Sequence, residues 1–444
     1  MALSDADERS ILNLFIELLP PERWEELEGD KRPQIFSLRV VAAMMLLQRL
    51  DAQGTQAEVV RKLAEGGLDY LLPDSKRVRE KEISSNSRSY ATACGQFPPD
   101  LMEQVCQEML VELGKRIQPE AQAGLVVLLV DGSSVSLEHD PGLLKHYPPS
   151  RNQHGEAHWG MVWVVVLHDA RTGIALYPQW GPMYGSETVS EQQLAEQAVA
   201  KAPPDGVILG DGNFGIFSFA YNVVQSQRQV LLRLTGQRAK AMGAGTLLPY
   251  GEQAFCWRPS RKDREKNPHL EPEAKIQGRL IAVTEKGFRH PLYLFPTLSL
   301  EMMQVVALYT LRWNVEVDLR SLKHTLGLFH LRSKSKEAID KELQLAMVAY
   351  GLVRVFMALA AGRAGLAPRR LSFTAACSLL NLMLGKLCCG DREQREQAMD
   401  RLLRLMAKSK LPDRSQKREY PREVWGFRRT FPPRRARSTN EKTK

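Results

Sequence analysis

Apolar positions along the chain follow three rhythms, and each predicts a different kind of element. Over residues 1–120 they recur at helical spacing. Ile35–Leu50 is apolar and Pro-free, Thr55-Gln-Ala-Glu58 forms a capping box for a helix closed by Gly66–Gly67, and another helix is expected over about Leu101–Arg116. A polar, basic stretch, SKRVREKEISSNSRSY, lies between the last two. From Gly124 the rhythm becomes that of buried strands. LVVLLVDGSSVSL is a continuous apolar run that the composition stops at Asp131-Gly132. MVWVVVLHD and IALYPQW read as strands paired across a turn at Ala170–Gly173. SETVSEQQLAEQAVAKA returns to helical period with Ser186 as its expected cap. A short strand, GVILGDGNFG, then holds Asp211, and a helix over about Ile216–Gln227 leads to a further strand, QVLLRLTG.

Residues 236–300 break this order. They are rich in Gly, Pro and charge, with strand-like pieces at Lys275–Thr284 and Pro291–Phe295. Leu308–Leu331 then reads as one long helix, without Pro and without Gly before Gly327. At 100° per residue, with Tyr309 at 0°, Arg312 falls at about 300°, Glu316 at about 340° and Lys323 at about 320°. The four share an arc of roughly 60°. Leu308, Leu311, Val315, Leu319, Leu322 and Leu326 fill the arc beside it, so packing of that stripe aims the polar ridge into a cleft. Asp318, the other acid, points about 160° away from Glu316. Apolar helices follow over about Glu342–Ala361 and roughly Leu371–Lys408.

Composition narrows the class. The chain has 444 residues, enough for two or three domains, and a net charge of +10. Residues 408–444 hold 13 Lys/Arg against 4 Asp/Glu, leaving 48 against 47 in all the rest. A tail with nearly all the excess charge, interleaved with Tyr420, Trp425, Phe427 and Phe431, points to a polyanion partner and to an arm that orders on it. The bland alternative is a solubilising end. Six Cys without Cys-x-x-Cys or framework spacing fit a reduced compartment, and the polar N-terminus is no signal peptide. Arg354 inside Leu345–Ala361 marks a buried helix rather than a membrane span.

A carboxylate flanked on one ridge by Arg, Lys and a phenol suits a site that handles phosphate and metal together. The same residues also fit a solvated helix face with i,i+4 pairs such as Arg312–Glu316. The spacing Tyr309, Arg312, Glu316, Lys323 resembles the Y-R-E-K signature of DDE transposases of the insertion-sequence-four family. That resemblance implies an α/β fold: an RNase H-like mixed-sheet catalytic core with a β-rich insertion, flanked by helical N- and C-terminal regions. It needs an Asp on the first core strand, a second after the fourth, and a Glu on a late helix. Asp131, Asp211 and Glu316 meet these demands in order. The division expected is 1–120, helical and DNA-binding; 121–235, first part of the core; 236–300, the insertion; 301–365, the rest of the core with its catalytic helix; and 366–444, helical with the basic tail.

The resemblance further implies that Asp131, Asp211 and Glu316 bind two Mg²⁺ or Mn²⁺ ions and are catalytic, by the two-metal chemistry of phosphodiester cleavage. Tyr309, Arg312 and Lys323 map onto contacts with phosphates of the transposon end, and Trp313 stands where some relatives have an aromatic. Expected partners are double-stranded DNA, as terminal inverted repeats and as target, and a second copy of the chain in a synaptic dimer. No membrane is implied, and the expected setting is the bacterial cytoplasm at the nucleoid. Cut-and-paste transposition would run through a released 3′-hydroxyl, with a hairpin-ended intermediate in some members. Those members hold a flipped base on an aromatic of the insertion, for which Trp257, Phe288 and Tyr293 are the candidates here. Where many relatives have Arg-Gly-Phe or similar after the second Asp, this chain has Gly212-Asn213-Phe214. Two other classes stay open: an RNase H-like host nuclease or junction-resolving enzyme, and a non-catalytic DNA-binding protein derived from a transposase. His154 and His158 are a minor zinc candidate, weakened by Gly155 between them.

Overall fold

Strand β1 (Val127–Ser136) does not stop at Asp131-Gly132 as its composition predicts. It runs on because strand β2 (Met161–Asp169) supplies backbone partners along its whole length, from Leu128 opposite Asp169 to Ser136 opposite Met161. A neighbour's hydrogen bonds, not the apolar run, set where a strand ends. The computed structural model describes the chain from Leu18 to Pro412, apart from residues 19, 30–33, 52–53, 67, 69–71, 73–75, 81, 118–124, 154, 285–289, 332 and 389.

The strands that follow are β3 (Ala175–Pro182), β4 (Val207–Gly210), β5 (Gln229–Arg233), β6 (Tyr250–Trp257), β7 (Ile276–Val283) and β8 (Leu292–Pro296). They form one eight-stranded sheet in the order β3-β2-β1-β4-β5-β8-β7-β6. β1 is antiparallel to β2 and parallel to β4, and β4 is parallel to β5. This is an RNase H-like mixed sheet. The insertion prolongs it, because β8 pairs antiparallel with β5 through Leu294 opposite Arg233. β6 was not legible in YGEQAFCW, whose side chains are mostly solvent-facing on an edge strand.

Alternation sorts the side chains. Leu128 and Val130 join the core beneath the helices Glu191–Lys201 and Phe217–Gln225. Val127 and Leu129 face the other way, into a core shared with Val207, Leu209, Leu231, Val305, Tyr309 and Val315.

In chain order the larger helices are α1 (Leu38–Leu50), α2 (Gln56–Ala64), α3 (Arg88–Gln96), α4 (Pro99–Ile117), α5 (Glu191–Lys201), α6 (Phe217–Gln225), α7 (Met302–Thr310), α8 (Trp313–Arg320), α9 (Lys336–Arg363), α10 (Phe373–Cys388) and α11 (Arg392–Lys408). Ser37 and Thr55 cap α1 and α2 by accepting from Val40 and Glu58 N–H. Ser190, not Ser186, caps α5, in a reciprocal box with Gln193. α9 is the one described helix long and apolar enough to cross a membrane, yet 89% of that stretch is buried inside the protein. Its core also contains residues of α1, α4, α10 and α11. An ion pair and hydrogen bonds join it to the N-terminal helices: Arg49 lies 3.0 Å from Glu342, and Lys341 Nζ donates to the carbonyls of Cys94 and Phe97 at 3.0 and 2.5 Å.

The turn between β2 and β3 is held by this helix. Gly173 has φ +79°, and its carbonyl accepts from Tyr350 Oη at 2.9 Å. A Cβ at position 173 would stand 2.8 Å from Arg354 Cζ. Gly173→Ala should therefore cost about 1–2 kcal/mol from the left-handed backbone, before any displacement of Arg354. A thermal melt is expected to drop by several degrees, and an unchanged melt would contradict this account of the turn.

Candidate active site

Asp131 and Asp211 come together through strand register. Leu129 is opposite Leu209 in the parallel pair β1–β4. Two residues further on, alternation puts both aspartates on the same face, where β4 has ended at Gly210 and the strands part. Asp131 Oδ1 accepts from Gly132 N at 2.8 Å, and Asp211 Oδ1 from Asn213 N at 2.8 Å. Burial pushes the Asp131 carboxyl up to about 6, with Asp211 and Glu316 adding to the rise and the Gly132 N–H and Arg312 opposing it.

Leu308–Leu331 is not one regular helix. Between α7 and α8 the chain tightens: the N–H groups of Leu311, Arg312, Asn314 and Val315 all bond three residues back. In that 3₁₀ geometry residues three apart eclipse, so Tyr309 and Arg312 line up more closely than 100° per residue implies. Ser321–Thr325 then widens into a π turn, with Leu326 N–H bonded to Ser321 O at 3.2 Å, before Gly327 at φ 70°. Packing of the apolar stripe against the sheet overrides the uniform helix that the residue types favour.

The ridge survives these irregularities. Arg312 is buried, donates from Nη2 to Glu316 Oε1 at 2.8 Å, and lays its guanidinium 4.5 Å from the centre of the Trp313 ring. Trp313 is 52% exposed and Val317 49%, so the tryptophan does not pack under the ridge. Lys323, in the π turn, stands 4.9 Å over the Phe329 ring; burial lowers its pKa and Asp131 opposes the shift. Tyr309 is 4% exposed, and its hydroxyl has no hydrogen-bond partner among the described residues. Burial pushes that phenol up to about 12, against Arg312 and Arg233 and with Asp211 and Asp131. Thus Asp131, Asp211, Glu316, Tyr309, Arg312 and Lys323 gather at one end of the sheet. Asp318 turns into the core, fully buried.

Two neighbours of this group escape a reading of sequence alone. Arg233 ends β5 beside Asp211 and is exposed. Glu191, first residue of α5, donates nothing but accepts from Asn213 Nδ2. Burial raises it to about 7, with Asp131 and Asp211 next in effect. Placing the cap at Ser186 hides it; the box Ser190-x-x-Gln193 puts Glu191 at the helix mouth. Of the insertion aromatics, Trp257 and Tyr293 are core residues, Trp257 lying edge-on to Phe217 and Phe295. Phe288 and His154 lie outside the described residues.

Among the described residues no three His, Cys, Asp or Glu side chains are drawn close enough to enclose one ion as they stand. Like charges at this density repel, and Glu316 is turned to Arg312. The donor chemistry nevertheless fits a hard divalent cation: every candidate ligand is a carboxylate oxygen, and the Tyr309 hydroxyl beside them is a spare, buried donor.

With this geometry in view, the comparisons assign the class. The family described as Transposase DDE domain matches residues 122–352, just over half of the chain, and the chain belongs to that family of DNA transposases. It is similar to a particular member, the transposase InsG for insertion sequence element IS4 of Escherichia coli (strain K12). The two are 27% identical over 311 residues, covering 68% of each chain.

Proposed function

We propose that the chain is an insertion-sequence transposase that cuts at the element's terminal repeats and joins the freed end to target DNA. The observation that carries this is the convergence of Asp131, Asp211 and Glu316 from three separate elements, with a cationic ridge alongside. Asp131, Asp211 and Glu316 would hold divalent ions, Mg²⁺ or Mn²⁺. Two such ions supply activation of the attacking oxygen and stabilisation of the leaving one.

The chain's own groups do the rest. Arg312, already fixed by Glu316 and Trp313, clamps a phosphate of the end with its fork of donors. Lys323 adds a point charge, which Asp131 supports against the effect of burial. Tyr309 donates its unpaired hydroxyl to a phosphate oxygen. Exposed Trp313 offers a stacking face to DNA next to that clamp. Water attack at the end releases a 3′-hydroxyl, which then attacks target DNA; a hairpin is one route for the second strand. The helical region 1–120 and the basic tail 408–444 extend the DNA contact, and two copies pair two ends in one synaptic dimer at the nucleoid.

The test is cleavage of duplex DNA bearing the element's own ends, with Mg²⁺, Mn²⁺ or EDTA. Wild type should cut at the ends only with metal. Asp211→Ala and Glu316→Ala should bind the ends and not cut. Binding without any cutting by wild type would favour a non-catalytic DNA-binding protein, and cutting of junctions regardless of end sequence would favour a host nuclease.

A further inference from the structure

Glu191 is an acid at this end of the sheet to which the proposed reaction gives no task. It reaches the site from the face opposite to Glu316, because α5 covers the Leu128/Val130 side of β1 and α8 the Val127/Leu129 side. Three links hold it there. Asn213 Nδ2 donates to Glu191 Oε2, while the backbone N–H of the same asparagine goes to Asp211. Gln192, the next residue of α5, grips Asn213 from the other side, with Nε2 at 2.9 Å from its Oδ1 and 3.2 Å from its carbonyl. The carboxylate also lies flat against Gly132, the residue after Asp131, so that a Cβ there would sit 2.8 Å from Glu191 Cγ and 2.9 Å from Cδ.

Glycine at 132 is thus what lets the carboxylate approach Asp131, and asparagine at 213 is what ties it to Asp211. The departure from the Arg-Gly-Phe pattern after Asp211 therefore has a structural use. No Lys, Arg or His pairs with Glu191 among the described residues. A half-buried carboxylate in the field of two others, and bonded only by neutral donors, is costly for a fold to hold. The unpartnered, nine-tenths buried hydroxyl of Tyr309 near the same aspartates is a second sign of a missing polar ligand.

We propose that Glu191 is a fourth carboxylate of the divalent-cation site, giving an oxygen ligand, direct or through one water, to an ion held by Asp131 and Asp211. Glu316 serves Asp131 from the α8 side and Glu191 from the α5 side. Asn213 and Gln192 are positioning residues for it. The inference rests on the metal-dependent reaction proposed above.

The test measures Mn²⁺ binding to the full chain without DNA, by the electron-spin signal of the free ion. Wild type is compared with Glu191→Gln, Gly132→Ala and Asp131→Asn, alongside thermal melts in EDTA. Glu191→Gln is expected to weaken Mn²⁺ binding roughly tenfold or more, the scale of losses when groups around a metal site are removed. It should raise the Mg²⁺ concentration needed for end cleavage by the same factor without lowering the melt in EDTA. Gly132→Ala keeps the charge but pushes the carboxylate away, and should weaken Mn²⁺ binding likewise. If Asp131→Asn loses Mn²⁺ while Glu191→Gln binds as wild type does, the fourth ligand is refuted and the metal site stands. If neither variant differs from wild type, the metal site itself is refuted. A lower melt for Glu191→Gln in EDTA, with wild-type Mn²⁺ binding by Gly132→Ala, would make Glu191 a fold residue and overturn the proposal.

Discussion

Asp131→Asn is expected to abolish end cleavage and, in EDTA at pH 8, to melt at a higher temperature than wild type. If Asp131 holds the divalent ions as proposed, its loss removes charge stabilisation worth several kcal/mol, and each ~1.4 kcal/mol is tenfold in rate, so cleavage should fall by about a thousandfold or more. The gain in stability follows from the carboxyl's displacement to about 6 from its ordinary 3.8. A group that holds its proton more tightly when folded stabilises the fold below its ordinary pKa, and that contribution is lost as pH rises through about 6. Wild type without metal is therefore strained at pH 8. Each pKa unit is ~1.4 kcal/mol, so this displacement puts the relief from a neutral Asn on the order of 3 kcal/mol. At pH 5 the aspartate is mostly protonated and the two proteins should melt closer together. Mg²⁺ should raise the wild-type melt at pH 8 and leave the variant's unchanged. An asparagine variant that melts lower than wild type at both pH values would show that Asp131 supports the fold rather than burdening it.

Asp318→Ala should be the most damaging substitution for stability. Its carboxylate is fully buried and accepts from Arg354 Nη2 at 2.5 Å and from Arg369 Nη1 and Nη2 at 3.0 and 2.9 Å, with His168 Nδ1 3.8 Å away. Burial works against its ionisation, but Arg354, His168 and Arg369 together outweigh this and hold it below the usual carboxylate range. Burial holds His168 down at about 4, against Asp318, so at neutral pH the imidazole is neutral and the carboxylate answers the two arginines. Arg369 also donates to the carbonyls of Asp169 and Ala170, so Asp318 joins α8, α9 and the end of β2 at one point. Removing one partner of a buried pair costs about 3–5 kcal/mol, because the charges left behind cannot reach water. The denaturation midpoint should shift by that amount, or the soluble yield should collapse. Asp318→Asn keeps one acceptor oxygen and the side-chain volume, and should lose less. A midpoint for the alanine variant equal to wild type would dismiss the hub. The hub also ties down α8 from the side opposite to Glu316.

Periodicity made much of the site legible. The steps Val127, Leu129, Asp131 and Val207, Leu209, Asp211 place two carboxylates on one face, and the spacing Tyr309, Arg312, Glu316, Lys323 places four groups on one ridge. Those directions are set first by residue spacing. Asp318 was equally legible as the acid that faces away. What it faces was not, because Arg354 and Arg369 arrive from 36 and 51 residues on.

Other outcomes depended on neighbours in space. β1 outran its apolar run because β2 paired with it, and the insertion joined the core sheet because β8 found the free edge of β5. The signature helix tightened at Arg312 and widened at Lys323 under packing that a uniform 100° step cannot contain. Glu191 entered the site through Gly132 and Asn213, which lie 59 residues before it and 22 after it in the chain. Spacing tells which way a side chain points. Backbone pairing, burial and the fields of distant charges tell what it meets, and these exist only once the chain has closed on itself.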